Sequence, residues 1–459
     1  MPAKFHFRFS WIAAGPLDGP AVFFYTVFTM KRTLTLGFSL TVLAASVQAT
    51  EWHVLGPRAM GMGGAGVALA QGPVGAYWNP AGLGQTENPS GIQVPIGMNL
   101  ELTGQFLEGA NDFHDISKDC PAGARCTQAN INLALSKMNR ADNGLRGDFS
   151  AGTEIKIKRV AVFVNNFSYF AGIPRVDMTN KTPANIGQGL NLSKLVLRGI
   201  QVTEIGAGYG QELPFAPGLL VGGNLKALIG KAGYYDLLIV ANSPDSSDAL
   251  RKYLNGSKTN VQPGIDLGLL WDVNRTFESV PLRPRVGITG RNINNPRFSN
   301  PDQAKLAGER DKYSLQGNAR LGLAVSPFRF WNIAADADLT RNPTPVDGVA
   351  SQMVSLGSEL NIFNRDWLNI PLRAGIMRNM ADAGSKTAFT GGFGLNFLHF
   401  TADIAAKVTP ATQPIRSQER EQKIPTAIGI SAQIGLLFGG GPEDSPPKPE
   451  KRTGFTPKK

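Results

Sequence analysis

Residues 426–438 read Thr426-Ala-Ile-Gly-Ile-Ser-Ala-Gln-Ile-Gly-Leu-Leu-Phe438. Ile428, Ile430, Ala432, Ile434, Leu436 and Phe438 fall on one face of an extended chain, and Gly429, Ser431, Gln433 and Gly435 fall on the other, because successive side chains of a strand point to opposite sides. One face suits hydrocarbon and the other is small or polar. The division recurs upstream. Ile265, Leu267, Leu269 and Trp271 alternate with Gly264, Asp266 and Gly268; Val354, Leu356, Leu360 and Ile362 alternate with Ser355, Gly357, Glu359 and Asn361; Phe393, Leu395 and Phe397 alternate with Gly392, Gly394 and Asn396. A sandwich in water would turn its charged face outward, whereas a membrane barrel keeps it in the lumen. Alternation alone does not separate the two.

Loop lengths do. Strands are expected near residues 91–106, 147–157, 160–170, 195–212, 218–232, 260–272, 282–294, 312–325, 330–340, 350–362, 369–380, 387–396, 399–407 and 426–438. The segments after odd strands run mostly long and those after even strands run two to nine residues. Long loops on one rim and short turns on the other, with an even strand count, are the pattern of outer-membrane barrels. The expected fold is therefore all-β: a closed antiparallel outer-membrane β-barrel of about 14 strands over residues 91–438. Closure removes the strand edges that lipid could not satisfy. Two local features strain the pattern. Residues 195–212 do not hold one phase and call for a bulge, and Asn165-Asn166 interrupt the strand 160–170 in the same way. Residues 127–140 carry a helical candidate in the first long loop.

The chain has 459 residues, 53 of them Gly, and 42% apolar side chains. No apolar run of eighteen residues follows position 50, which excludes a helical membrane protein. Lys31 and Arg32, the apolar stretch 34–47 and Val47-Gln48-Ala49 form a signal peptide, so residues 1–49 are expected to be removed. Translation is expected to start at Met30, although an unusually long n-region would give the same string. The net charge of +11 includes +3 in residues 1–49 and +2 in residues 441–459, and the rest is scattered without a basic cluster, against nucleic-acid binding. Residues 439–459, rich in Pro and Lys, read as a disordered basic periplasmic tail. Cys120 and Cys126, the only cysteines, are close in sequence and predict a small-loop disulfide in an exported protein. They are not C-x-x-C, and His53, His114 and His399 are too scattered to join them in a metal site. No Ser/His/Asp grouping is suggested, so no enzyme, cofactor or catalytic residue is expected.

Before the first strand, residues 56–70 are Gly-rich, and Gly61, Gly63 and Gly66 match G-x-G-x-x-G literally. The strand and helix that a dinucleotide site needs are missing, since Pro57 stands just upstream. Gly and Ala instead permit close backbone approach, and Asn79-Pro80 is a turn pair. Residues 50–90 are accordingly expected to form a plug inside the barrel, carried by Arg58, Gly61, Gly63, Gly64, Gly66, Trp78, Asn79 and Pro80.

The strings Pro57-Arg-Ala-Met-Gly-Met-Gly-Gly-Ala-Gly-Val-Ala68 and Tyr77-Trp-Asn-Pro-Ala-Gly-Leu83 resemble the N-terminal hatch of the FadL-like superfamily of outer-membrane transport proteins, and within it the conjugal-transfer TraF-like, PorV-related branch. The resemblance implies a hatch in the lumen and passive passage of long-chain fatty acids or other hydrophobic molecules. It also implies a lateral gate at Asn165 and Asn166, and a barrel-assembly signal at Phe438. The alternative is a non-transporting scaffold of a conjugation or secretion apparatus, with envelope proteins as partners. The lumenal charges Arg285, Arg291, Arg320, Asp266, Asp336 and Glu359 are expected mostly to pair with one another.

Overall fold

The computed structural model describes residues 51–140, 143–239, 253, 257–344, 350–365, 367–382, 385–417 and 420–439. The leader expected at 1–49 and the tail expected after Gly439 lie outside the described residues.

Fourteen strands close into one antiparallel barrel: β1 (Ser90–Thr103), β2 (Gly144–Ile157), β3 (Val160–Arg175), β4 (Lys194–Glu212), β5 (Leu219–Leu238), β6 (Lys258–Asp272), β7 (Arg285–Arg291), β8 (Asn318–Phe328), β9 (Trp331–Asp338), β10 (Met353–Ile362), β11 (Leu368–Asn379), β12 (Ala388–Phe397), β13 (Phe400–Val408) and β14 (Ala427–Phe438). Each pairs with its neighbours in sequence, and β14 returns to β1 in a register running from Ser90↔Phe438 to Glu101↔Ala427. The alternation explains the wall. Ile430 and Ile434 stand outward, Ile434 at 56% exposure, while Ser431 and Gln433 between them are buried. A surface this apolar is stable only in lipid, which is how a transmembrane barrel is built. No helix among the described residues is long and apolar enough to cross a membrane; strands do the crossing.

Aromatic side chains gather at the rim of short turns. Phe328 stacks on Phe330 at 5.5 Å and on Trp331 at 6.2 Å, Trp367 meets Phe397 at 6.3 Å, and the His399 ring lies 4.9 Å from Phe438. Rings with a polar edge suit the water–lipid boundary. At the other rim, α3 (Phe106–Asp119) and α4 (Gln128–Met138) fold over the loop between β1 and β2. They share a core of Phe106, Phe113, Ile116, Ile131, Leu135 and Met138 and are joined by the expected Cys120–Cys126 disulfide.

Several expectations need correction. Helix α4 was legible, with Thr127 as its N-cap accepting from the Asn130 amide at 3.2 Å, but α3 was not. Its signal is the spacing of Phe106, Leu107, Ala110, Phe113 and Ile116, interrupted by Gly109. Residues 312–314 belong to a hairpin with Arg297–Ser299 rather than to β8, and residues 412–417 and 420–425 form a hairpin where a plain loop was expected. No bulge occurs in β4, which pairs one-to-one with β3 and β5 from Lys194 to Glu212. Its two apolar faces have another cause. Ile200 and Val202 point inward because the lumen at that level is itself apolar, filled by Tyr169, Leu228, Phe298 and Leu315. The same holds for β3: Asn165 pairs with Gly152 and Glu204 in unbroken register, and Asn166 with Ala151 and Thr203. No bulge interrupts β3 at these two positions.

Candidate functional site

The segment from Glu51 to Pro89 lies against inward-facing side chains of the wall. Its first element, α1 (Pro57–Gly61), begins at a proline whose missing N–H costs nothing at a helix start. The helix ends in Gly63 and Gly64, with φ of +71° and +92°, values that side chains with a Cβ adopt only under strain. At Gly63 a Cβ would also strike the backbone of Ile376, so the turn can seat against β11 only as glycine. At Gly66 the obstruction is internal, since a Cβ would sit 2.7 Å from the Trp78 ring.

The second half is organised by α2 (Gly75–Trp78) and the 3-10 turn Pro80–Gly84. Asn79, fully buried, accepts from the Ala81 amide at 3.1 Å and donates to the carbonyls of Val67 at 3.3 Å and of Leu269, on β6, at 3.0 Å. Trp78 donates its indole N–H to the Leu55 carbonyl at 2.9 Å, and the Tyr77 hydroxyl donates to the His53 carbonyl at 2.6 Å. Trp52, Tyr77 and Trp78 form an aromatic cluster with Phe167 of β3. The Arg291 guanidinium lies 3.8 Å from the centre of the Tyr77 ring. Burial raises the Tyr77 pKa above its ordinary value despite Arg291 beside it. The ring stays neutral and meets the cation through its face.

Charge fixes the segment to the wall. Arg58 donates to Glu359 of β10 at 2.7 and 2.9 Å, and Arg373 of β11 binds the same carboxylate at 2.7 Å and Asp403 of β13 at 2.6 Å. Asp336 of β9 accepts from the amides of Gly66 at 2.8 Å and Val67 at 3.0 Å. Thr390 of β12 accepts from the Gly63 amide at 2.9 Å and donates to the Gly61 carbonyl at 3.0 Å. Arg320 pairs with Asp338 at 2.6 Å and donates to the Gly64 carbonyl at 3.4 Å. Above Tyr77, Arg291 pairs with Glu204 at 2.8 Å, and Lys226 bridges Glu204 at 3.1 Å and Asp266 at 3.0 Å. Lys156 of β2 donates to the carbonyl of Asn88 at 3.0 Å, where the segment leaves for β1. Of the six lumenal charges expected to pair, Arg291, Arg320, Asp266 and Glu359 sit in ion pairs, while Asp336 is held by backbone amides. Arg285 is held by the Gln85 amide oxygen.

All eight residues expected to carry the plug lie in this packed segment. Asn165 and Asn166 are not brought to it as a pair. Asn165 points inward to Glu154 at 2.9 Å, Asn166 bonds Thr203 at 2.9 Å, and Asn79 meets β6 rather than β3. Sequence reading missed the wall partners Lys156, Glu204, Lys226, Asp338, Arg373 and Thr390. Their common signal is a polar residue at the inward phase of an alternating strand.

Toward the short-turn rim, a cavity of about 760 Å³ opens beneath the segment, lined among others by Arg58, Trp78, Asn361, Arg373, Asp403 and Gln433. Among the described residues no three His, Cys, Asp or Glu side chains are placed to hold a metal ion.

A sequence model of the family described as the F plasmid transfer operon TraF protein matches residues 76–338. No curated protein matches the chain in sequence. Similar solved structures include the CymD monoaromatic hydrocarbon channel, 15% identical over 85% of this chain and 99% of that one, with a TM-score of 0.47. The P. putida toluene transporter TodX is 12% identical over 85% and 100%, with a TM-score of 0.46. A Pseudomonas aeruginosa FadL homologue is 11% identical over 84% and 98%, with a TM-score of 0.44.

Proposed function

We propose that this chain, which belongs to the family of the F plasmid transfer operon TraF protein, is a passive outer-membrane channel for small hydrophobic molecules such as long-chain fatty acids, with residues 50–90 as its hatch. The observation that carries the reading is how the lumen is closed. Between Glu51 and Pro89 the segment adds no strand to the barrel; side-chain ion pairs, hydrogen bonds and aromatic packing hold it. Such contacts can be exchanged. If Arg58 moves away, Glu359 keeps Arg373 as its partner, so the wall is not left with a bare buried charge. The substrate class follows the resemblance of residues 57–68 and 77–83 to the hatch of FadL-like transporters. The protein is exported through a cleaved leader, the rim bearing α3 and α4 faces outside, and the short turns and the tail from Gly439 face the periplasm.

The test is to lock the hatch. A Cβ at Gly61 would lie 3.2 Å from the Cα of Gly392, close enough for a disulfide between cysteines at the two positions. In a C120S/C126S background, oxidised G61C/G392C is expected to stop oleate uptake by cells that have no other fatty-acid transporter, and reduction is expected to restore it. Uptake no better than in cells without the protein, or indifferent to the lock, would remove the reading. One observation favours a scaffold instead: the helical lid of α3 and α4 has a core of its own, as a docking surface for envelope proteins would. Co-purification of such proteins from a strain whose fatty-acid uptake does not depend on the chain would establish that reading.

A further inference from the structure

One side of the cavity beneath the hatch carries a row of amide and hydroxyl side chains that a channel for apolar solutes does not need. Its wall is an arc of neighbouring strands that contribute Asn361, Asn369, Asn396, Thr401, Gln433 and Gln93. Three of these share one row across the sheet: Asn369 is paired with Asn396, and Asn396 with Thr401. The row continues through Gly435 to Gln93. Strands lie about 4.8 Å apart, so the row offers hydrogen-bonding groups at near-regular steps around the mouth, with one gap at the glycine.

The protein uses some of these groups itself, since Gln93 accepts from the Val74 amide at 3.3 Å and the Asn369 amide donates to Asn364 at 3.4 Å, but not all of them. The Thr401 hydroxyl, on a residue 5% exposed, is buried without a hydrogen-bond partner, and so are the Asn369 side-chain oxygen, the Asn88 side-chain nitrogen and the Nε of Arg285, all of which line the cavity. A buried polar group without a partner is destabilising, and a ligand that supplied one would offset that loss. The set contains donors and an acceptor together. The nearby charges, in contrast, are spent on one another in the chain Arg58–Glu359–Arg373–Asp403.

We propose that this cavity binds a neutral, hydroxyl-rich ligand, an oligosaccharide, at the periplasmic mouth. A hydroxyl both donates and accepts, and primary amides answer both roles from a single side chain. A peptide is the poorer fit. It would need a free strand edge for its backbone, and the strands of this arc are paired on both sides.

The experiment uses the full-length barrel in detergent, titrated with chitotetraose, maltotetraose and tetra-alanine by calorimetry and by tryptophan fluorescence. At least one oligosaccharide is expected to bind and tetra-alanine is not. The variant T401V/N396L, with folding checked by heat-modifiable migration in gels, is expected to bind the sugar about tenfold more weakly or worse, the loss of one to two hydrogen bonds. Oleate uptake by this variant is expected to be unchanged, which separates the inference from the transport reading. Binding of tetra-alanine alone, binding of none of the three, or sugar binding indifferent to the substitutions would overturn it.

Discussion

At the residue scale, the decisive group is Glu359, a buried carboxylate 2% exposed that holds Arg58 of the N-terminal segment and Arg373 of the wall at once. The two ends of this bridge are not equivalent. Glu359→Ala removes the anion shared by two cations, and breaking a buried pair in this way costs about 3–5 kcal/mol. Arg58→Met removes a partly exposed guanidinium and leaves the carboxylate paired, so the expected loss is about 1–2 kcal/mol. Denaturant unfolding in detergent measures both. Arg58→Met should nevertheless loosen the segment around α1, seen as faster maleimide labelling of a cysteine at buried Met60 in a C120S/C126S background. Equal losses in the two variants would show that Glu359 does not depend on Arg373. Arg58 itself was legible from its motif. Its partner was not, because an alternating strand marks Glu359 as inward-facing without saying which lumenal residue it meets.

At the scale of elements, β14 is the cleanest strand in the sequence and closes the barrel against β1. Ile434, in mid-strand, and Phe438, at the rim beside His399, both face outward. A charge on the lipid face costs about 2–4 kcal/mol at the bilayer midplane and about 0–1 near the interface. Ile434→Arg is therefore expected to lower outer-membrane insertion more than Phe438→Asp does by burial alone. If Phe438 is also the signal read by the assembly machinery, Phe438→Asp should fail by more than this. Removal of residues 441–459 should leave insertion intact. Fractionation and gel mobility report all three variants, and a tail deletion that blocks insertion would displace the signal from Phe438. The two strands that seemed to need bulges, β3 and β4, show the limit of periodicity. Alternation exposes a strand only when its two sides meet different surroundings, and here Phe167, Ile200 and Val202 turn inward onto apolar and aromatic lumenal side chains.

For the whole molecule, the prediction concerns orientation. In a C120S/C126S background, a cysteine at Ser136 on α4 should react with a membrane-impermeant maleimide in intact cells, and one at Arg329, in the short turn between β8 and β9, should react only after the envelope is opened. The reverse pattern would invert the barrel. What the sequence determined by itself is the class of wall: fourteen strands, their approximate positions, the apolar outer face, and the alternation of long loops with short turns. Those are local properties, written in the phase of side chains two residues apart and in the spacing between runs. The tertiary structure alone decided the registers, unbroken through β3 and β4, the packing of α3 on α4 and the meeting of Arg58 with Glu359 across 301 positions of chain. A residue of the N-terminal segment finds its partner only when closure of the barrel brings distant strands around it, and no period along the chain records that distance.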